Sequence, residues 1–415
     1  MESLVVKFGG TSIGNPERVR LAANSVAREV NKGKKVVVVV SAMGSTTDEL
    51  ISLFNESVKD RSPSFEDYAE FVSMGERTSA RLFASTLNAV GVKSTFVDPL
   101  MDNWPIITDD NYPKANVIKS TTTQMVKKCI LPLWEDGVTP VIGGFIGKSM
   151  KGNITLLGRG GSDVTAFVIG EALKVDEIII VTDVEGVLSA DPRRLSSEVS
   201  VLEDITAEEM QILAENGAKV LHPDAVKYKP PNIKAKIIHY KYGDLSVRGT
   251  QIKGSIQEQV ALLNGRLSMI TIVGESFLET AGLLKRVITP LSDSGISIYS
   301  FALGDKYVSL YVRAEDEAKS YQLLHDVVLS EKQLKSVTVT SDIAMFMVAS
   351  RMFIDTPGII QRLTLPLSEK NINIIEMVTI KTDIFIFVNW EDREQVYRLL
   401  SKEMERIRKD GTVSK

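Results

Sequence analysis

Lys7, Gly9, Gly10, Thr11 and Ser12 follow an apolar run, Leu4-Val5-Val6, and precede a helix opening at Asn15-Pro16-Glu17. A strand that delivers a lysine and two glycines to its end, then gives way to a helix, can hold a polyphosphate. The glycines let backbone N–H groups approach the oxygens in conformations that other residues avoid. The lysine places a compact charge where phosphoryl charge accumulates. The spacing G-x-x-x-x-G-K-[ST] occurs nowhere in the chain, so a different phosphate-holding architecture is implied.

Four more places carry chemistry. Gly158-Arg159-Gly160-Gly161-Ser162-Asp163 precedes a helix, so its amides and the helix N-terminus make a second anion nest. Arg159 could grip a carboxylate through paired hydrogen bonds. Ser73-Met74-Gly75-Glu76-Arg77 sets a carboxylate beside a glycine at what reads as a helix break. Thr182-Asp183-Val184-Glu185-Gly186-Val187 ends a strand, with Asp191-Pro192-Arg193 close behind, and Lys219-Val220-Leu221-His222-Pro223 adds a cation. Plainer readings exist: a tight turn for Gly9-Gly10, an exposed pair for Arg159 and Asp163, a solvated face for Glu76-Arg77, a capping role for His222. The coincidence of several anion-binding turns at strand ends, where parallel sheets bind ligands, outweighs them.

The elements that must position these residues follow from the rest of the chain. At 415 residues, two or three domains are expected. The net charge of −4 argues against a nucleic-acid binder and offers no polybasic membrane tether. No apolar run, the valines of 36–40 included, is long enough to span a bilayer, and with Met1-Glu2-Ser3 leading into the first strand no signal peptide is expected. One cysteine, Cys129, excludes an internal disulfide and suits a reducing compartment. Three histidines without a Cys/His cluster predict no metal site built from protein ligands. A cytoplasmic, multidomain protein is the expectation.

Residues 4–8, 35–40, 95–97, 138–142 and 178–181 read as strands, with helices from Pro16 and near 64–90, 113–135 and 163–174. Asn15 is the expected N-cap, with Pro16 at the first helical position. This is an α/β domain around a largely parallel sheet. The C-terminal part contains a repeat. A shift of about 76 residues lays Thr280-Ala-Gly282-Leu-Leu-Lys-Arg286 on Thr356-Pro-Gly358-Ile-Ile-Gln-Arg362, and Pro290-Leu291-Ser292 on Pro366-Leu367-Ser368. Each copy reads strand, helix, strand, strand, helix, as in a ferredoxin-like βαββαβ unit. Pro290 and Pro366 fall inside the first helix of each copy and should kink or end it. The expected domains are 1–260, 265–340 and 341–415. Exposed strand edges on such units invite self-association.

The run Val6-Lys7-Phe8-Gly9-Gly10-Thr11-Ser12 resembles the signature of aspartate kinases, in the amino-acid-kinase (carbamate-kinase-like) fold, a three-layer αβα domain. The likeness continues through Val40-Ser41-Ala42-Met43-Gly44, Gly75-Glu76-Arg77, the Gly158–Asp163 nest, Thr182 to Val187, Asp191-Pro192-Arg193 and Lys219 to Pro223. It extends into the duplicated modules, which are similar to that family's paired ferredoxin-like ACT domains. Leu188 and Val181 depart from it, standing where tyrosine and tryptophan are frequent. With the sequence running to Lys415 and no dehydrogenase-like segment in it, the resemblance is to the monofunctional type, which is the expectation.

The resemblance implies ATP-dependent phosphorylation of the side-chain carboxylate of L-aspartate, with Mg²⁺, as the first step toward lysine, threonine and methionine. It implies that Lys7 stabilises the transferring phosphoryl group, that Gly9 and Gly10 bind phosphate, and that Asp163 orients Lys7 or the substrate amino group. Glu76 would hold the α-ammonium and Arg159 the α-carboxylate, with Ser41, Thr47 and Ser162 lining the pocket. Thr182, Asp183, Asp191, Arg193 and Lys219 would bind the nucleotide. By the same resemblance, the ACT modules take lysine or threonine as feedback effector, near Phe277, Thr280, Gly282, Leu283, Ile296 and Ser297, in a homodimer or homotetramer. The other readings are a kinase of the same fold acting on glutamate, acetylglutamate, carbamate or a nucleoside monophosphate, and a non-catalytic amino-acid sensor.

Overall fold

The computed structural model describes residues 2–59, 63–194, 198–218, 220–256, 259–350, 353, 357–380 and 382–413. Two units are separable, 1–256 and 257–414. In the first, valine-rich segments form strands because their alternate side chains enter two cores. Val5, Val37 and Val39 pack into one cluster, while Leu4, Val6, Phe8, Val36, Val38 and Val40 pack into another. A sheet buried on both faces demands such runs.

The strands are β1 (Ser3–Phe8), β2 (Lys35–Val40), β3 (Ser94–Val97), β4 (Ile107–Thr108), β5 (Thr139–Gly143), β6 (Ile146–Ser149), β7 (Ile154–Leu156), β8 (Glu177–Thr182), β9 (Asp204–Thr206), β10 (Lys234–His239) and β11 (Thr250–Lys253). The main sheet runs β3-β5-β2-β1-β8-β10-β11-β9, and β4-β6-β7 form a small second sheet. From β3 to β10 the main sheet is parallel. The chain fills one side of β1 first and then crosses to β8, so β1 lies at the switch point where such sheets open a crevice.

The helices are α1 (Pro16–Asn31), α2 (Thr46–Val58), α3 (Phe65–Ala89), α4 (Lys119–Glu135), α5 (Gly161–Leu173), α6 (Ala207–Glu215) and α7 (Pro223–Val226). α1 and much of α3 cover one sheet face, and α4, α5 and α6 the other, giving three αβα layers. Asn15 caps α1 as expected, its side chain accepting from Arg18 N at 2.9 Å with Pro16 next. The helix expected from 113 begins instead at Lys119, because Val117 bridges Thr108 and Ala115 N donates to Leu156 O.

The second unit is built from β12 (Gln259–Leu262), β13 (Leu267–Gly274), α8 (Leu283–Asp293), β14 (Ser300–Leu303), β15 (Tyr307–Arg313), α9 (Glu317–Ser330), β16 (Leu334–Ala349), α10 (Ile359–Ser368), β17 (Glu376–Ile380), β18 (Asp383–Asn389) and α11 (Arg393–Val413). β16 serves both modules. Its first half pairs with β13, and its second half with β18 and β12. The fourth strand of the second module is therefore β12, which comes from before the first module. The first module sits inside the second, and residue 340 falls within a continuous strand.

β16 turns at Asp342, whose φ of +59° is rare outside glycine. Tyr311 of β15 stacks on Phe387 of β18 at 4.2 Å, though a flat sheet would hold those strands about 14 Å apart. The sheet is thus folded, and Leu267, Ile343 and Met345 share the enclosed core. Neither expected proline ends its helix outright: α8 continues to Asp293 past Pro290, and α10 to Ser368 past Pro366. Each proline lies in the last turn or so, where few hydrogen bonds remain to be lost. The repeated glycines Gly282 and Gly358 precede these helices at a φ of +80°, which explains their recurrence.

Candidate active site

The carboxyl ends of β1, β2, β5 and β8 carry the groups singled out above. Lys7 leaves β1 with its side chain largely buried, and its Nζ lies 2.6 Å from Asp163 Oδ1. This is a charge contact more than an aligned hydrogen bond, since Asp163 Oδ1 has no donor directed at it. Asp163 occupies the first turn of α5, whose N-cap Gly160 has a φ of +74°. Gly160 must be glycine twice over: a Cβ there would lie 2.4 Å from His222 Cβ. His222 itself caps α7, its Nδ1 accepting from Asp224 N at 3.3 Å, and burial lowers its pKa.

The turn after β1 is pinned on both flanks. Gly9 N and Ser12 Oγ donate to Val181 O of β8, and Gly44 N donates to Gly10 O. A Cβ on Gly10 would stand 2.7 Å from Ala42 O. Ser41 N donates to Phe8 O, so the segment after β2 folds directly over this turn.

Glu76 is 3% exposed in the middle of α3, which runs unbroken through Gly75. The expected helix break is therefore absent. Gly75 is needed for approach: a Cβ would meet Ala42 Cβ at 2.9 Å. Ala42 N donates to Glu76 Oε1 at 3.2 Å, Thr47 adds a side-chain hydrogen bond, and Oε2 is buried with no partner. Burial pushes the Glu76 carboxyl up from 4.5 to about 7, against the pull of those hydrogen bonds. Arg77, buried beside it, is neutralised by Asp98 at 3.2 Å.

Gly143 and Gly144, which sequence reasoning passed over, join these parts. Gly143 packs on the Glu76 backbone, and a Cβ on Gly144 would fall 2.6 Å from Ser162 Cβ. Two adjacent glycines at the end of an apolar strand were the available signal. Phe145 follows with a φ of +68°, strained for a bulky residue, and no sequence pattern marks it. Lys7, Glu76, Ser162, Asp163, Ser41 and Thr47 thus gather at neighbouring strand ends. Arg159 is exposed in the turn before α5.

Thr182 and Asp183 stand at the end of β8, joined by a 3.3 Å hydrogen bond. Asp191 and Arg193 pair with each other at 2.9–3.0 Å in an exposed turn, where Arg193 lowers the Asp191 pKa. Lys219 lies outside the described residues. The six residues expected to line an effector pocket divide: Phe277, Leu283 and Ile296 are buried in the first module's core, whereas Gly282 and Ser297 are exposed and Thr280 half-buried.

Residues 2–239 match the amino acid kinase family, and residues 338–402 match an ACT domain. An aspartokinase from Geobacillus stearothermophilus is 34% identical over 394 residues, covering 92% of this chain and 91% of that protein. The chain belongs to the aspartokinase family. Aspartokinase 2 of Bacillus subtilis is 31% identical over 391 residues, with 91% of each chain covered. The aspartate kinase of Synechocystis shares the fold, with a TM-score of 0.78 at 24% identity over 97% of this chain and 69% of that one. The E. coli aspartokinase III complex with aspartate and ADP superposes with a TM-score of 0.54 at 24% identity, covering 97% and 99%. As an aspartokinase-family enzyme the chain is a kinase, with the amino-acid-kinase domain and ACT region expected of it. Among the described residues no helix is long and apolar enough to cross a membrane.

Proposed function

We propose that the chain transfers the γ-phosphoryl group of ATP to the side-chain carboxylate of L-aspartate, giving 4-phospho-L-aspartate and ADP. The observation that carries this reading is the convergence of Lys7, Asp163 and the buried Glu76 at the switch point of the sheet. The acceptor carboxylate is already ionised at neutral pH, so the reaction needs no strong base. What it needs is to bring two anions together. Lys7 and the Gly10 amide supply positive field where phosphoryl charge develops, while Gly9, whose own amide donates to Val181 O, shapes the turn that lets phosphate approach. Asp163 holds the Lys7 ammonium in place from α5. Glu76, with one oxygen unpartnered, takes the α-ammonium, and Arg159 takes the α-carboxylate. Ser41, Thr47 and Ser162 border the substrate, while Thr182, Asp183, Asp191, Arg193 and Lys219 serve the nucleotide.

Mg²⁺ fits this donor set as an ion carried in on phosphate oxygens. Single carboxylates, Asp163 in the first turn of α5 and Asp183 just after β8, are at hand, and the described residues hold no cluster of three ligands that would cage an ion. When bound, it would neutralise charge on the β- and γ-phosphates.

Trapping the acyl phosphate with hydroxylamine tests the reading. Aspartate with MgATP should give an aspartyl hydroxamate with stoichiometric ADP, while glutamate and acetylglutamate give none. Turnover on glutamate alone would move the chain to another acceptor. The paired modules support feedback by lysine or threonine in a dimer or tetramer, in a protein that works in the cytoplasm at the head of lysine, threonine and methionine synthesis. Assays with each effector and with both together test the regulation.

A further inference from the structure

Lys229 is only 3% exposed, and among the described residues no carboxylate pairs with it. Its Nζ donates to Gly254 O at 2.7 Å, and burial pulls its pKa from 10.5 down to about 8. An ammonium taken out of water without a counter-charge costs stability, so packing alone does not account for this lysine. None of the roles assigned above uses it.

The bond joins two separate parts of the first unit. Gly254 follows β11 with a φ of +65°, two residues before the unit ends at Ile256. Lys229 follows α7, and its backbone N–H donates to Val226 O at 3.1 Å. Ala225 and Val226 are buried, and the N–H groups of both donate to His222 O. His222 lies against Gly160, where an added Cβ would stand 2.4 Å from its own. Lys114, which pairs with Asp224 of α7 at 3.5 Å, packs beside Gly158. Through these two contacts α7 supports both ends of the turn that carries Arg159. Most of α5 is buried, so the turn before it is the part that α7 can shift.

A buried ammonium with a single carbonyl acceptor has two states. It is bonded inside, or, once the acceptor moves away, it is drawn out toward water. Withdrawal would carry residues 228–229 along and loosen the hold on α7.

We propose that Lys229 is a positioning residue: by tying α7 to the chain leaving the first unit, it holds the Arg159 turn where a substrate α-carboxylate can be gripped. This rests on the aspartate reading above and adds the support on which that grip depends. The position of the exit segment is thereby felt at the substrate turn.

The test uses the full chain with Lys229→Met, whose apolar stem occupies similar space, and Lys236→Met as control. Lys236, in β10, is also buried and donates to a carbonyl, Val247 O, at 3.3 Å. Lys229→Met should melt within a few degrees of the parent or above it, because the buried charge is gone. Its KM for aspartate should rise about tenfold while kcat stays within about threefold, since Lys7 and Asp163 still hold each other. The amides of Gly161 and Asp163, which donate to Gly158 O and Gly160 O, should exchange hydrogen about tenfold faster. Lys236→Met should move neither the KM nor this exchange. Unchanged KM and exchange in Lys229→Met would overturn the proposal. So would a loss of stability with KM and kcat shifting together in both variants, the mark of a merely structural role. Exchange reads the support independently of the acceptor. A parent inactive on aspartate whose Lys229→Met variant still exchanges faster loses the kinase reading and keeps the link from Lys229 to the turn.

Discussion

Lys7 and Asp163 lie 156 positions apart in the chain, and their charged groups stand 2.6 Å apart at the end of β1. Both side chains are about 10% exposed, so each charge is held in place largely by the other. A lysine confined in this way faces the glycine turn without first having to be ordered. Removing either partner leaves an uncompensated charge in a closed site, which is costly.

Lys7→Ala should lower kcat by about a thousandfold if the ammonium stabilises charge in the transition state. Asp163→Asn should also lose turnover, but by letting Lys7 wander, and it should do so with the KM for ATP less affected than kcat. Steady-state kinetics on both variants check this. A Lys7→Ala enzyme within tenfold of the parent would remove the lysine from the chemistry.

Glu76 sets a pH dependence of its own. Its carboxyl is raised from 4.5 to about 7 chiefly by burial, so the folded state prefers the neutral form. Stability from this source is fully present below 4.5, falls as pH rises toward 7, and is flat above. The loss is about 3 kcal/mol. Glu76→Gln should abolish that part of the profile, visible in urea melts of the ligand-free enzyme at pH 5 and 8. Under the proposed role of Glu76, aspartate binding should run the other way, because an ammonium would need the ionised form. Log kcat/KM for aspartate should rise with unit slope up to about pH 7 and then level, and the Gln variant should lack the break.

Gly75 separates helix propensity from fit. An alanine in mid-helix favours α3 by about 1 kcal/mol. The same Cβ meets Ala42 Cβ at 2.9 Å and displaces the segment that donates to Glu76. Gly75→Ala should therefore keep its melting temperature within a few degrees while the KM for aspartate rises. A large loss of stability with unchanged KM would mean that the contact matters for packing alone.

Local signals were readable where the chemistry is local. Asn15 and Pro16 mark a helix start by their own side chain and ring, and the valines of β2 declare a strand covered on both faces. The glycines at 10 and 160 stood out as turns at element ends, and the structure needs each of them for close approach, to Ala42 O and to His222. What escaped depended on distant partners. Glu76 looked like the edge of a broken helix because the reason for Gly75, the Ala42 side chain after β2, is 33 positions earlier in the chain. Gly143, Gly144 and Phe145 acquire meaning only against α3 and α5. β4, β6 and β7 are too short to show a period of their own.

The interleaving of the two C-terminal modules has a consequence for dissection. β12 pairs with residues 346–349 of β16, and its Val260 and Leu262 pack on the second module's core. A fragment beginning at residue 265 follows the repeat but discards that strand, leaving β16 with an open edge and its core with two side chains fewer. The missing burial is worth about 2–3 kcal/mol. Such a fragment should melt roughly 5–10 °C below one beginning at residue 257. It should also self-associate through the uncovered edge, which presents unpaired backbone groups. Thermal melts and sedimentation of the two fragments check this. Equal melting temperatures with both species monodisperse would mean that β12 belongs functionally to the connection rather than to the module it pairs with.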